Sequence, residues 1–464
     1  MNRALQPSSL VHIVAIGGAA MSGIARYLQQ LGHKVVGSDV RETSTTAALR
    51  SEGIVVEIGH RASNVHPKID LVVYSTAVPQ DNVELVAAQS YGIPVVHRSS
   101  AMQLIVASKP AAAVVSGTHG KTSTASMLTG ILRSAGHHPS FFIGGTPAAL
   151  GTNALFDVDG KWIVVEGDES DRSFLAFDRS AVLVTNIEAD HLEHWDNSFA
   201  RLVQGFESFV DGCSGPIVLC HDDITTRSVA AARSQARTYG FDAEAQYRLI
   251  SYRSESSGVR LVMEAPHGEQ VEVQLRQRGR DMATNALGAA TLAHQLGLAW
   301  PAAVIGLESF RGVARRFEHR GSCNGVDLVD DYAHTATEIA TTLARAREGS
   351  WNRVIAVCQP HRYTRIAAHG HEYGEALRSA DLVVVTALDP AFEAPIEGID
   401  ASIVVDSVRK AAPNGVVEFI EQLDDLADLP WRLGRPGDVI VTLGCGTITD
   451  AHALWALEAR KYED

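Results

Sequence analysis

At 464 residues, with 45% hydrophobic and 20% charged side chains, the chain has apolar material for about three domains of ordinary size. Its 54 acidic residues outnumber 40 basic ones, a formal charge of −14, which argues against nonspecific binding to nucleic acid or an anionic membrane. Five cysteines without a CxxC pair, and no apolar run near the ~18 residues of a membrane span, give the expectation of reduced thiols, a cytoplasmic location, no signal peptide and no membrane insertion.

The run VHIVAIGGAAMSGIARYLQQLGHKVVGSD reads as strand, turn, helix and strand, with Ile24, Tyr27, Leu28 and Leu31 on one helix face and Gly32 as its stop. Asp39 follows the turn by about 20 residues, the layout of a Rossmann-type half with a diphosphate on the turn and a carboxylate near a ribose. GxGxxG is not satisfied, because Ala15 and Ala20 stand where glycines are expected. A dehydrogenase, or a βαβ unit that binds nothing, therefore stays open beside a nucleotide site. Ile69 to Tyr74 is a further strand, running into Ser75 and Thr76, and the alternation of strands and helices gives an α/β domain over residues 1–107.

From Ala111 the sequence reads AAAVVSGTHGKTSTASMLTGILRSAG. An apolar strand stops at Gly117, Thr118, His119, Gly120, Lys121 and Thr122, and a helix follows with Met127, Leu128, Ile131, Leu132 and Ala135 on one face. Backbone N–H groups and a helix N-terminus suit phosphate, Lys121 suits the outer phosphates and the Thr122 hydroxyl suits Mg²⁺. Position 115 is Val rather than Gly, so the motif is the shortened GTxGKT form, and ordinary turn glycines beside a surface lysine are the plainer alternative.

The strand WIVVEGDESD delivers Asp168, Glu169 and Asp171 at its end, hard oxygen donors suited to Mg²⁺ or simply a solvated acidic loop. A second strand, AVLVTN, brings His191 to the same sheet edge as a further ligand candidate. The helix pattern 279–298 could present Asn285 to a ligand or leave it on the surface. Residues 108–311 form the central segment.

In residues 312–464, RRFEHRG leads into a strand over Val326 to Val329, with Asp330 to His334 at its edge and Ile339, Leu343 and Ala346 on the next helix face. RVIAVCQPHRYTR places His361, Arg362 and Arg365 after another strand. Two arginines three apart would share a face in a helical turn and clamp a carboxylate, unless both are solvated.

Taken together, GGAAMSGIA, GSD, STAVP, GTHGKTST, EGDESD, TNIEADHLE, RRFEHRG, DDYAH and QPHRYTR resemble the Mur ligase family, in its order and over nearly the whole chain. The resemblance implies a three-domain α/β protein: a Rossmann-like N-terminal domain for the UDP-sugar, a central P-loop ATPase-like domain for ATP and Mg²⁺, and a Rossmann-like C-terminal domain for the amino acid. It implies an ATP-dependent amide ligase of cell-wall precursor synthesis that joins L-alanine to the lactyl carboxylate of UDP-N-acetylmuramate through an acyl phosphate, acting as a monomer or homodimer. A recycling ligase that attaches a peptide, or a relative with an altered substrate, are the alternatives.

By the same resemblance, Gly17, Gly18, Met21, Ser22, Asp39, Ser75 and Thr76 would meet the UDP-sugar, and Gly117 to Thr122 with Ser123 would hold ATP. Asn285 would meet adenine, Asp331 the ribose and Arg316 the phosphates. Thr122, Glu169 and His191 would hold metal. Lys121, Glu169, His191 and His334 would be catalytic, with His361, Arg362 and Arg365 at the amino acid. Ala15 and Ala20, Thr335 and Ala336 in DDYAHTATE, and GCGTI near the end depart from the family pattern, and the added methyls at 15 and 20 are expected to narrow the diphosphate turn.

Overall fold

A computed structural model describes residues 8–255, 257–391 and 393–463. Contacts divide the chain into two units, Met1–Ser251 with Leu261–Gln274 and Thr284–Phe310, and Tyr252–Arg260 with Leu275–Ala283 and Arg311–Asp464.

The first unit opens with β1 (Leu10–Val14), β2 (Lys34–Asp39), β3 (Val55–Ile58), β4 (Leu71–Tyr74) and β5 (Val95–His97), a parallel sheet in the order β3-β2-β1-β4-β5. Val11, Ile13, Val72 and Val73 are fully buried, which is why β4, and β1 apart from His12, read as apolar runs. Strand order reverses between β1 and β4, so the turn 15–18 and the pair Ser75 and Thr76 flank the crevice where such sheets take ligands. The helix Ala19–Gln30 follows the turn, and Gly32 (φ +92°) closes it as expected.

Ala20 lies inside that helix, where Ala is preferred to Gly. Ala15 takes the left-handed conformation (φ +58°), and its methyl packs against the cluster around Val14, Val72 and Leu85. The methyl expected to narrow the diphosphate turn is thus spent on the core.

The next strands are β6 (Ala111–Ser116), β7 (Ser140–Phe142), β8 (Ala154–Leu155), β9 (Trp162–Glu166), β10 (Ala181–Val184), β11 (Ile217–Cys220), β12 (Arg237–Gly240), β13 (Tyr247–Glu255), β14 (Gly258–Glu264) and β15 (Gln270–Leu275). They form one sheet, β15-β14-β13-β12-β11-β10-β6-β9-β7-β8. β6 lies between β9 and β10, parallel to both, with Val115 opposite Glu166 and Ser116 opposite Val184. Three strand ends therefore converge on the loop that follows β6. The helix Lys121–Ser134 is enclosed from Thr122 to Leu132 on nearly every side rather than along one stripe, and Ala135 is exposed.

A continuous core joins the first two sheets. A Cβ on Gly23 would come within 2.8 Å of the Phe142 ring, so the helix after the turn docks closely on β7. Arg26 Nη1 donates to Asn153 Oδ1 (2.9 Å) and Asn153 Nδ2 to the Ala19 carbonyl (3.0 Å) across the same seam.

The second unit carries β16 (Glu318–Cys323), β17 (Val326–Asp331), β18 (Val354–Cys358), β19 (Leu382–Thr386), β20 (Val416–Ile420) and β21 (Val439–Leu443), in the order β16-β17-β21-β18-β19-β20, with β16 antiparallel and the rest parallel. Ile339, Leu343 and Ala346 are buried on the helix Ala336–Arg347 as their spacing predicts. The five cysteines are free thiols, and no helix among the described residues is long and apolar enough to cross a membrane.

Candidate active site

The loop after β6 is set by two left-handed glycines. A Cβ at Gly117 (φ +130°) would approach Thr185 Oγ1 to 2.1 Å, and one at Gly120 (φ +82°) would approach Asn285 Oδ1 to 2.6 Å. Asn285 is buried and lies against this loop. Asn186 pins the loop from β10's side, accepting from Thr118 N through its carbonyl (3.0 Å) and from His119 N through Oδ1 (2.8 Å). No side chain caps the helix Lys121–Ser134 at its N-terminus. The N–H groups of Lys121, Thr122 and Ser123 therefore lack intrahelical acceptors and make an anion-binding end.

Lys121 Nζ donates to the carbonyls of Gly117 (2.6 Å) and Thr118 (3.0 Å) and to both oxygens of Glu169 (3.1 and 2.9 Å). Burial opposes its charge, but Glu169, then Asp168 and Glu166, outweigh burial and hold its pKa above the ordinary lysine value. Glu169 is 2% exposed, and burial pushes its own pKa up despite the ammonium beside it. The pair keeps a positive charge fixed at the mouth of the loop.

Of the expected metal residues, His191 lies within electrostatic reach of Glu169: burial would lower its pKa, but Glu193, Asp190, Glu169 and Asp168 outweigh burial and raise it. Thr122 Oγ1 donates to Glu166 Oε1 (2.9 Å), and Gly144 N donates to Glu166 Oε2 (2.7 Å), while Glu169 is occupied by Lys121. His191, in a left-handed conformation (φ +52°), faces Asp190 (3.6 Å) and Glu193 (3.9 Å). Register sets which acid meets Thr122: Glu166 is the last residue of β9, directly beside β6, whereas Glu169 lies three residues into the following loop.

Arg98, at the start of the helix Arg98–Val106, reaches the same acids. Its Nη2 donates to Asp168 (2.9 Å) and Asp171 (2.8 Å). Around the first sheet's crevice, Asp39 accepts from Gly17 N (2.9 Å) and so braces the turn rather than pointing away from it. Gly18 precedes the helix, Met21 and Ser22 are buried in its first turn, Ser75 is half-buried and Thr76 is exposed.

In the second unit, Asp331 is buried and its carboxylate accepts from Phe317 N (2.7 Å) and Ala333 N (2.8 Å), bonds that tie down the segment before β16. The guanidinium of Arg316 stacks over Tyr332 at 5.1 Å. His334 and His361 lie with ring centroids 6.3 Å apart. Burial, then His334, push His361 down to about 4, and burial also lowers His334. Arg362 and Arg365 do not share a helical face. Arg362 precedes the helix Tyr363–His369 with φ +69°, and its Nε donates to Glu393 (2.7 Å). Arg365 Nη1 approaches His361 Nδ1 at 3.4 Å and has no carboxylate partner among the described residues.

Three family models match in succession: Mur ligase family, catalytic domain, over 10–110; Mur ligase middle domain over 115–293; and Mur ligase, glutamate ligase domain, over 315–446. The chain belongs to the Mur ligase family. It is an ATP-dependent amide ligase of the class that the sequence motifs imply. This Mur ligase is 40% identical over 456 residues to a Bradyrhizobium protein named UDP-N-acetylmuramate–L-alanine ligase, covering 96% of each chain. It also resembles the crystal structure of the Thermotoga maritima UDP-N-acetylmuramate–alanine ligase (TM-score 0.85, 28% identity, 97% of this chain and 99% of that one). A murein peptide ligase from Psychrobacter arcticus shares the fold at TM-score 0.75 and 22% identity, covering 97% of this chain and 98% of that one.

Sequence reading of this Mur ligase missed Glu166, Arg98 and Asn186. Glu166 had a signal, since it is the first acid of EGDESD and the last residue of its strand. Arg98 and Asn186 had none, because their partners lie about 70 residues away.

Proposed function

We propose that this Mur ligase joins L-alanine to the lactyl carboxylate of UDP-N-acetylmuramate, with ATP as phosphoryl donor. The observation that carries the reading is 40% identity over 96% of both chains to a relative named for that activity. The domains we assign are 1–107 for the sugar nucleotide, 108–311 for ATP and 312–464 for the amino acid.

Lys121 supplies fixed positive charge where the γ-phosphoryl oxygens lie, and the open helix end at Lys121 to Ser123 receives the inner phosphates. Thr122 and Glu166 offer oxygen donors of the kind a hard cation takes, and these residues would hold Mg²⁺, with His191 nearby. Mg²⁺, when bound, offsets charge on the phosphate oxygens. Asn285 is assigned to adenine, Arg316 to the phosphates and Asp331 to the ribose side.

Transfer of the phosphoryl group activates the carboxylate as an acyl phosphate, which the amine of the amino acid attacks, releasing phosphate. Positioning and charge neutralisation carry such a reaction. Arg365, which has no carboxylate partner of its own, is suited to the amino-acid carboxylate, with His334 and His361 beside it.

Phosphate release with UDP-N-acetylmuramate, ATP and each of L-alanine, glycine, L-serine and a tripeptide tests the reading. The highest kcat/KM is expected with L-alanine, and a preference for the tripeptide would replace the proposal with the peptide-ligase reading.

A further inference from the structure

The central sheet has a cavity at the strand ends opposite the loop after β6. Arg237 opens β12 and Tyr247 opens β13, both parallel to β6 through β11 and β10. The loop 117–120 follows the far end of β6, so the two features lie at opposite ends of parallel strands. A cavity of about 480 Å³ is lined here by Arg237, Gln246, Tyr247, His267, His294 and Gln295. His294 lies nine residues beyond Asn285 on the helix Arg280–Gln295, about 13 Å along its axis, which keeps this cavity apart from the loop that Asn285 touches.

No aspartate or glutamate is among its lining residues, in a chain with a formal charge of −14. The Arg237 guanidinium meets no carboxylate among the described residues, and its hydrogen bond to the Ala236 carbonyl is long at 3.5 Å. Two other arginines of the same unit are paired, Arg233 with Asp211 and Arg248 with Glu264.

The remaining donors are fixed in advance. Gln295 Nε2 donates to the Tyr247 hydroxyl (2.8 Å), which also hydrogen-bonds His294 Nδ1 (2.8 Å). When that hydroxyl donates to Nδ1, the His294 proton sits on Nε2, a donor. Trp300, 1% exposed, locks both rings, lying 5.4 Å from Tyr247 and 5.6 Å from His294. The helix end does not oppose an anion with bare carbonyls, because Gly297 (φ +98°) turns the chain so that Gly297 N bonds the His294 carbonyl (2.9 Å) and Leu298 N the Ala293 carbonyl (3.2 Å).

The geometry points to a second binding site in this cavity, for a small oxyanion of the carboxylate or phosphate-monoester class, held by the fork of Arg237 and by His294. Such a ligand supplies the planar or tetrahedral oxygens that a guanidinium binds in pairs.

Equilibrium dialysis of the full-length protein, saturated with ADP, against radiolabelled inorganic phosphate and separately against radiolabelled malonate tests it. Saturable binding of one anion per chain is expected. Binding of phosphate alone assigns a phosphate ester, of malonate alone a carboxylate, and of both a shared oxyanion site. Arg237→Ala is expected to weaken binding by roughly tenfold or more, Arg237→Lys by less, and His294→Gln to weaken it with the fold intact by circular dichroism. Absence of saturable binding of either anion, displacement by ADP, or unchanged binding in both Arg237→Ala and His294→Gln would overturn the proposal.

Discussion

Arg98→Ala probes how the first sheet is tied to the acids beside the loop that follows β6. The wild-type guanidinium makes three hydrogen bonds, to Asp168 (2.9 Å) and twice to Asp171 (2.8 and 3.1 Å). After the substitution Asp171, whose side chain is 7% exposed, keeps the bond from Ser173 N, and Asp168, 38% exposed, keeps the one from Ser170 N. Stranding the buried carboxylate costs about 2 kcal/mol, and the solvent-screened one adds about 0.5 kcal/mol. For a unit of this size the loss lowers Tm by roughly 5 °C. The pH dependence fixes the cause. Burial would raise the Asp168 pKa, but Arg98 and then Lys121 outweigh it and hold it well below the usual carboxylate range. A carboxylate depressed in the folded state contributes its stability above its unfolded pKa of about 3.9 and loses it as pH falls further. Thermal melts of both proteins should therefore differ fully at about pH 7, with the smaller part of the gap that belongs to Asp168 closing below about pH 4. Equal melting temperatures at neutral pH, or a gap that persists undiminished in acid, would refute the reasoning.

Lys121→Ala is expected to lower kcat by about 10²-fold or more and also to lower Tm, since Glu169 is left buried and unpaired; adding Glu169→Gln should restore Tm but not kcat. Glu166→Gln is expected to raise the Mg²⁺ concentration for half-maximal rate more than Glu169→Gln does, and equal shifts would count against Glu166 as the metal carboxylate. Glu84 is fully buried; although burial opposes ionisation, bonds from His12 and Ser38 outweigh it and hold its pKa at about 2. It contributes about 3 kcal/mol above its unfolded pKa of about 4.5, lost as pH falls toward 2, so urea midpoints of wild type and Glu84→Gln should approach one another in acid. Arg365→Lys is expected to raise KM for L-alanine much more than KM for ATP, while Arg362→Ala lowers Tm through loss of Glu393 without that split.

The strand, glycine turn and helix around Lys121 were legible because they are contiguous: an apolar strand, two glycines, Lys121 and a helix lie within about 25 residues, and local backbone chemistry decides them. The α/β class, the Mur ligase family and the ligase activity were legible for the same reason, repeated across nine motifs. The carboxylate facing Thr122 was not, because the choice between Glu166 and Glu169 depends on where β9 ends beside β6, a register that no local pattern records. Arg98 is a longer-range case, with its acids 70 and 73 residues away. The two arginines differ again. Spacing of three implies a shared face only if both residues are helical, and the backbone of Arg362 is not.

The departures from the family pattern are absorbed by backbone chemistry. Thr335 is the N-cap of the helix Ala336–Arg347, accepting from Glu338 N while Glu338 accepts from Thr335 N (3.2 Å), so its hydroxyl serves the helix start. Thr447, in the altered closing turn, accepts from Gln359 Nε2 (3.0 Å) and stays next to β21. Ala15 turns its methyl into the core, and Ala20 sits in a helix that favours it. Thr335, Thr447, Ala15 and Ala20 thus each have a structural role that requires no change in substrate. The L-alanine reading consequently rests on the likeness to relatives named for that activity, with Arg365 as the uncommitted group suited to the amino-acid carboxylate, and not on the positions where this sequence differs from the family pattern.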